Sequence, residues 1–257
     1  MTDSTAVLTG PAFFESGRGV SIAYHSTPGK SPGVMFCGGF MSDMTGGKAM
    51  ALEAFCRARG QAFIRFDYGG HGQSSGRFED GTIGSWTADA LAVLDGLTSG
   101  PQVIVGSSMG GWIALNLALA RPERVAALVG VAAAPDFTED LMWHEFPPDA
   151  QMLLETQGVI YEPSDYSDKP YPITMNLIRE GRDHLLLRGE IAVDRPVRLL
   201  HGMLDADVPW KRSLLLAEKL QSPDVRVILV KDGDHRLSRE QDLRLLTGTV
   251  EELLAQG

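Results

Sequence analysis

Short runs of apolar and β-branched residues alternate along the chain with longer stretches in which apolar positions recur at helical spacing. Residues 12–16 and 19–25 read as an opening hairpin. Residues 33–37 (GVMFC) form a continuous apolar run, the signature of a strand buried on both faces. Residues 49–59 fit a helix with Leu52, Phe55 and Cys56 inward. A strand at 62–66 leads into a glycine-rich loop, 67–76. Then come a helix at 87–97, a strand at 102–105 (QVIV), a helix at 109–120 and a strand at 125–131. After an irregular stretch the alternation resumes: strand 197–200, helix 211–220, strand 225–230 and helix 239–255. Eight strands alternating with helices predict an α/β fold, a mostly parallel sheet flanked by helices on both faces. Residues 134–194 break the pattern with prolines, scattered aromatics and weak helical periodicity. They are expected to be a small helical cap inserted after the sixth strand, too poor in registered apolar residues to form a core of its own. The whole chain, 1–257, is read as one domain.

The sharpest chemical signal is Gly106-Ser107-Ser108-Met109-Gly110, which follows QVIV and opens a helix. A serine on a tight strand-to-helix turn projects its hydroxyl above the sheet, and flanking glycines let the backbone fold that closely. Serine needs a base. Of the six histidines (His25, His71, His144, His184, His201 and His235), four follow Ser108. His235 lies in a loop between the last strand and the last helix, at the sheet edge where Ser108 also lies. His144 and His184 fall in the cap, and His201 ends the preceding strand beside the acid's own loop. The acid comes from HGMLDADVP, where both Asp205 and Asp207 stand in the right loop. Asp205 is favoured, with Asp207 alternatively a charge at a helix start.

Two backbone N–H groups are needed to hold a developing oxyanion. Met109, after the nucleophile, supplies one. Phe40, in the loop Cys37-Gly38-Gly39-Phe40-Met41, supplies the other. Met41, Trp143 and Phe146 are expected to contact substrate. The cap's Phe137, Leu141, Met142, Met152, Leu153 and Tyr161 add to an apolar acyl site. Asp67-Tyr68-Gly69-Gly70-His71-Gly72 lacks the spacing of a nucleotide-binding loop, and His71 is read as a residue that stabilises the loop. No metal-ligand spacing occurs, so neither metal nor other cofactor is expected.

Composition narrows the partners. Lys and Arg number 23 against 33 Asp and Glu, a net charge of −10, which repels phosphate backbones and anionic lipid. Nucleic-acid binding and stable membrane association are therefore not expected. Cys37 and Cys56 are expected to be buried free thiols. Met1 to Gly10 carries no basic start followed by an apolar run, so the expectation is a cytoplasmic protein.

Taken together, GGFMSDMTGGKA, FIRFDYGGHGQSSG, VGSSMGGW, LLHGMLDADVPW and DGDHR resemble the mitochondrial α/β hydrolases of the acyl-glucuronide esterase and palmitoyl-protein thioesterase type. The resemblance covers nearly the whole chain from Gly19. It implies the α/β-hydrolase fold, with Ser108 as nucleophile, Asp205 rather than Asp207 as acid and His235 as base. It further implies hydrolysis of esters and thioesters, acyl glucuronides and S-acyl cysteines included. No transit peptide is expected from its opening residues, a departure from that family that a mature form or a bacterial relative would show. A perhydrolase with the same triad and a non-catalytic binding protein of this fold are the rival readings.

Overall fold

The computed structural model describes residues 10–163 and 170–256. The expectation drawn from the first ten residues therefore falls, Gly10 apart, outside the described residues, as do positions 164–169 of the cap. Strands β1 (Ala12–Glu15) and β2 (Ser21–Thr27) form the opening hairpin, followed by β3 (Lys30–Cys37), β4 (Gln61–Phe66), β5 (Gln102–Ser107) and β6 (Val125–Val131). Within the insertion, β7 (Val159–Glu162) and β8 (Tyr171–Thr174) pair with each other. β9 (Val197–Gly202) and β10 (Val225–Val230) rejoin the main sheet. That sheet has eight strands in the order β1-β2-β4-β3-β5-β6-β9-β10, parallel from β4 to β10 and antiparallel at the hairpin edge.

Helices α1 (Gly47–Arg59), α2 (Ile83–Leu97), α3 (Met109–Ala120), α4 (Pro148–Gln157), α5 (Met175–Gly181), α6 (Lys211–Lys219) and α7 (Glu240–Leu254) complete the framework. Side chains alternate across each strand, so each central strand feeds two cores. Val34, Phe36, Val103, Val105 and Val129 meet Leu52, Cys56, Leu246 and Val250 of α1 and α7. Met35, Ile104, Leu128 and Leu199 meet Trp86, Trp112, Ile113 and Leu216 of α2, α3 and α6 on the other face. Burial on both faces is why these strands carry unbroken apolar runs. Cys37 and Cys56 are buried free thiols, and burial pushes each up to about 12.

Two elements differ from expectation. Helix α2 begins four residues early, at Ile83. Thr82 Oγ1 accepts the Ser85 N–H, and Ser85 Oγ accepts the Thr82 N–H, a reciprocal cap that satisfies two otherwise orphaned donors. The cap also has a hairpin and a small core. Leu154, Ile160, Ile173, Met175 and Ile178 are buried together, with Trp143, Phe146 and Tyr171 packed against them. The pairing of β7 with β8 brings these residues together across a sequence gap that helical periodicity does not reveal. The base of the cap is fastened by charge. Asp136, fully buried at a positive φ of 61°, accepts the Leu186 and Leu187 N–H groups at 2.7 and 2.9 Å. Asp140 pairs with Arg188 and, at 3.1 Å, with Arg212 of α6.

Candidate active site

The parallel register brings the ends of β3, β5, β6, β9 and β10 to one edge of the sheet, and the loops leaving them converge there. Ser108 stands between β5 and α3 with φ 54° and ψ −119°, a conformation that costs a non-glycine residue strain unless its surroundings enforce it. They do. Its N–H donates to the Val131 carbonyl at 2.9 Å, and its carbonyl accepts from Gly111 and Ala134 at 2.9 and 3.1 Å. The glycines are a steric requirement. A Cβ on Gly110 would lie 2.1 Å from the Cys37 carbonyl oxygen, and one on Gly106 would lie 2.2 Å from that of Gly110. These contacts are to backbone, which cannot yield.

The structure brings Ser108, His235 and Asp205 into one hydrogen-bonded chain. Ser108 Oγ donates to His235 Nε2 at 3.2 Å, and His235 Nδ1 donates to Asp205 Oδ2 at 2.8 Å. The two loops that carry His235 and Asp205 fit closely: the Leu204 N–H donates to the Gly233 carbonyl at 2.8 Å, and a Cβ on Gly202 would collide with that carbonyl. The Asp205 side chain is fully buried. Burial alone would raise its pKa. Hydrogen bonds from His201 and His235, the His235 charge and the Val208 N–H instead hold the carboxyl well below the usual carboxylate range. Asp207 is exposed, and its N–H donates to Asp205 Oδ1 at 2.9 Å.

Phe40 lines the cavity beside Ser108, and Gly39 lets its loop come close: a Cβ there would sit 3.5 Å from Ser108 Cβ. The Phe40 ring meets Phe78, Phe137, Trp86 and Tyr171 edge-on at 4.9, 5.8, 6.0 and 6.0 Å, which fixes its position. Met109 is buried at the first position of α3, where helical N–H groups have no partner within the helix. Behind this wall His71 is buried against Tyr68, Phe78 and Trp86, and burial pushes its imidazole down to about 4.

A cavity of about 590 Å³ opens over Ser108, within the range of small-molecule sites. Its lining holds apolar side chains, Phe40, Phe137, Leu141, Met142 and Tyr171 among them, and polar ones, among them Ser42, Thr45, Lys48, Arg236 and Ser238. Met41 lines it. Trp143 and Phe146 do not: the π-helical turn Thr138–Trp143 directs Leu141 and Met142 to the cavity, while Trp143 and Phe146 pack on the small cap core. Met152, Leu153 and Tyr161 are exposed. Sequence reasoning missed Tyr171 and Lys48. Lys48 is half-buried and donates to the Arg236 carbonyl. Burial and the Arg236 charge push its ammonium down to about 8, against the pull of Asp234 and Asp242.

Among the described residues, one group has ligand atoms close enough to share a metal ion: Asp205, Asp207 and His235, within 4.8 Å of one another. An ion there would compete with the bond that joins His235 Nδ1 to Asp205. No helix among the described residues is long and apolar enough to cross a membrane.

A family model described as the α/β-hydrolase fold matches residues 34–160. The mouse mitochondrial palmitoyl-protein thioesterase ABHD10 is 46% identical over 235 residues, covering 91% of this chain and 79% of that protein. The solved structure of mouse ABHD10 superimposes with a TM-score of 0.89 at 43% identity, covering 96% of this chain and 99% of that one. A putative hydrolase from Agrobacterium vitis gives a TM-score of 0.90 at 39% identity, covering 95% and 97%. The ABHD10 relatives from mouse, rat and human are named as mitochondrial, which overturns the cytoplasmic location expected from the N-terminus. A folded hydrolase carries no mark of its compartment in the sheet or the site, so the first ten residues were a poor basis for that expectation. The fold and an identity of 46% across most of both chains place this protein: it belongs to the α/β-hydrolase family, together with the ABHD10 thioesterases.

Proposed function

We propose that this chain is a serine hydrolase that cleaves carboxylic esters and thioesters through an acyl-enzyme, acting as one unit of sheet and cap. The observation that carries the reading is the hydrogen-bonded chain Ser108–His235–Asp205 on a strained elbow beneath a half-apolar cavity. Ser108 Oγ attacks the acyl carbon while His235 Nε2 takes its proton. Asp205 stays ionised, holds the ring by Nδ1 and stabilises the imidazolium. The Phe40 and Met109 N–H groups receive the oxyanion. His235 returns the proton to the departing alkoxide or thiolate, and then activates the water that releases the acid. Phe137, Leu141, Met142 and Tyr171 receive the acyl chain, which leaves polar lining residues such as Lys48 and Ser238 for the leaving group. The acyl donor is a small molecule or an acylated protein. Palmitoyl-protein thioesterase is the name of the mouse relative, and it supports a long acyl chain here.

The test is fluorophosphonate labelling followed by peptide mapping, together with Ser108→Ala. The adduct is expected on Ser108. The variant is expected to keep its melting temperature and lose roughly three or more orders of magnitude in kcat against p-nitrophenyl esters and matched thioesters. An adduct on Ser107, or a Ser108→Ala enzyme with near-normal turnover, would sink the assignment.

A further inference from the structure

β9 reads Val197-Arg198-Leu199-Leu200-His201-Gly202, and Val197, Leu199 and His201 share one face of the strand. His201 is fully buried. A buried imidazole is costly unless its nitrogens find partners. Nε2 lies 3.1 Å from Asp205 Oδ2 and 2.9 Å from the Val208 carbonyl oxygen, and Nδ1 lies 2.7 Å from the hydroxyl of Ser213 on α6. Both oxygens facing Nε2 are acceptors, so Nε2 carries a hydrogen and donates to them. Ser213, itself buried, donates its hydroxyl hydrogen to Nδ1 of the neutral ring.

Asp205 Oδ2 therefore accepts two imidazole N–H groups, from His235 on the Ser108 side and from His201 on the sheet side. Its Oδ1 accepts the Asp207 and Val208 N–H groups at 2.9 and 2.8 Å. Those two donors belong to the carboxylate's own loop. His201 belongs to the sheet.

We infer that His201 is a positioning residue whose Nε2–H anchors the Asp205 carboxylate to β9 in the orientation that receives His235, with Ser213 fixing the His201 tautomer. The inference rests on the roles proposed above for Ser108, His235 and Asp205. The hydrogen bonds of His201 run to Asp205, Val208 and Ser213, and it takes no proton. It removes the need for Asp205 to reorient when positive charge develops on His235, and a preorganised partner is what accelerates such a step.

The experiment compares His201→Leu, His201→Gln and Ser213→Ala in the full chain, with active sites counted by fluorophosphonate titration. Leucine fills the space without a donor, whereas glutamine keeps an N–H within reach of Asp205. His201→Leu is expected to lower kcat by about tenfold to a hundredfold, the worth of a hydrogen bond to a charged group, with KM unchanged. His201→Gln is expected to recover most of that loss. Equal losses in the leucine and glutamine variants, a kcat unmoved by leucine, or a change confined to KM would overturn the inference. Should the leucine variant fail to fold, Ser213→Ala decides: a lower kcat at unchanged KM and melting temperature supports the role, and an unchanged kcat overturns it. Wild-type enzyme unlabelled at Ser108 would bring down the triad itself, a result distinct from a labelled wild type indifferent to position 201.

Discussion

The elbow and the cap meet across one cavity and are held in opposite ways. Around Ser108 the constraint is backbone against backbone: glycines packed against carbonyls, a strained residue bonded on both sides, and a carboxylate with four donors. Little there can give. The cap is held by a five-residue apolar core and a ring of charges at its base, and it leaves Met152 and Tyr161 about 60% exposed. Bond-making needs atoms fixed within a fraction of an ångström, which backbone sterics provide. Accepting an alkyl chain needs only apolar side chains of suitable bulk, which a looser insertion provides.

The largest effect should come from the rigid side. Asp205→Asn keeps the shape and removes the charge, and it turns an NH₂ group toward His235 or His201, both of which already donate. We expect kcat/KM and the rate of fluorophosphonate labelling to fall by roughly a thousandfold or more. Because the Asp205 pKa is depressed, its contribution to stability is fully present above the ordinary carboxylate range. It is lost only as pH falls through the lower folded value. The stability gap between wild type and Asp205→Asn should then stay level from about pH 5 to 8. Labelling within tenfold of wild type would mean that the elbow works without this acid.

A middle-sized effect should appear at His71, on the same rigid side. Its imidazole titrates near 4 in the folded chain, below the ordinary value of about 6.5. Between those values the unfolded chain binds the extra proton, so stability falls as pH drops from 6.5 towards 4, by on the order of 3 kcal/mol, and levels off below. His71→Asn should flatten the dependence of melting temperature on pH across that window. An unchanged slope would place the acid sensitivity elsewhere.

The smallest effect should come from the cap. Met142→Ala or Leu141→Ala should leave acetyl esters untouched and lower kcat/KM for longer chains by about fourfold per methylene no longer contacted. Trp143→Ala should lower the melting temperature and leave the chain-length profile alone, since Trp143 packs on the cap core. If Met142→Ala depressed every chain length equally, the cap would be acting on the elbow, and the contrast between the two regions would fail.

The same contrast explains what the sequence discloses. Gly106, Ser108 and Gly110 are legible because the turn tolerates few other residues, and the order of serine, acid and histidine places Asp205 and His235 on loops at one sheet edge. The alternation of strand and helix discloses the eight-stranded sheet for the same local reason. His201 hid in plain view: it shares the parity of Val197 and Leu199, a sign of burial, and a buried histidine demands partners. The first turn of α2 hid because Thr82-Ile83-Gly84-Ser85 reads as a turn, and Gly84 is there because a Cβ would lie 2.0 Å from Oε1 of Glu180 on α5, the carboxylate that accepts its N–H at 3.0 Å. Trp143, Phe146 and the β7–β8 hairpin were out of reach, since a π-helical turn and a pairing between separated segments decide which way those side chains face.

Asp136 joins the point where the insertion leaves the sheet to the point where it returns, with its carboxylate on the Leu186 and Leu187 amides. The two ends of the cap are thus a single locus as far as the rest of the molecule is concerned. Lengthening the stretch between them costs little closure entropy, about 0.6 kcal/mol for each doubling. An ancestral gene could rewrite, extend or exchange those fifty or so codons while β6 and β9 stayed in register. A hydrolase built this way can change its diet without relearning its chemistry.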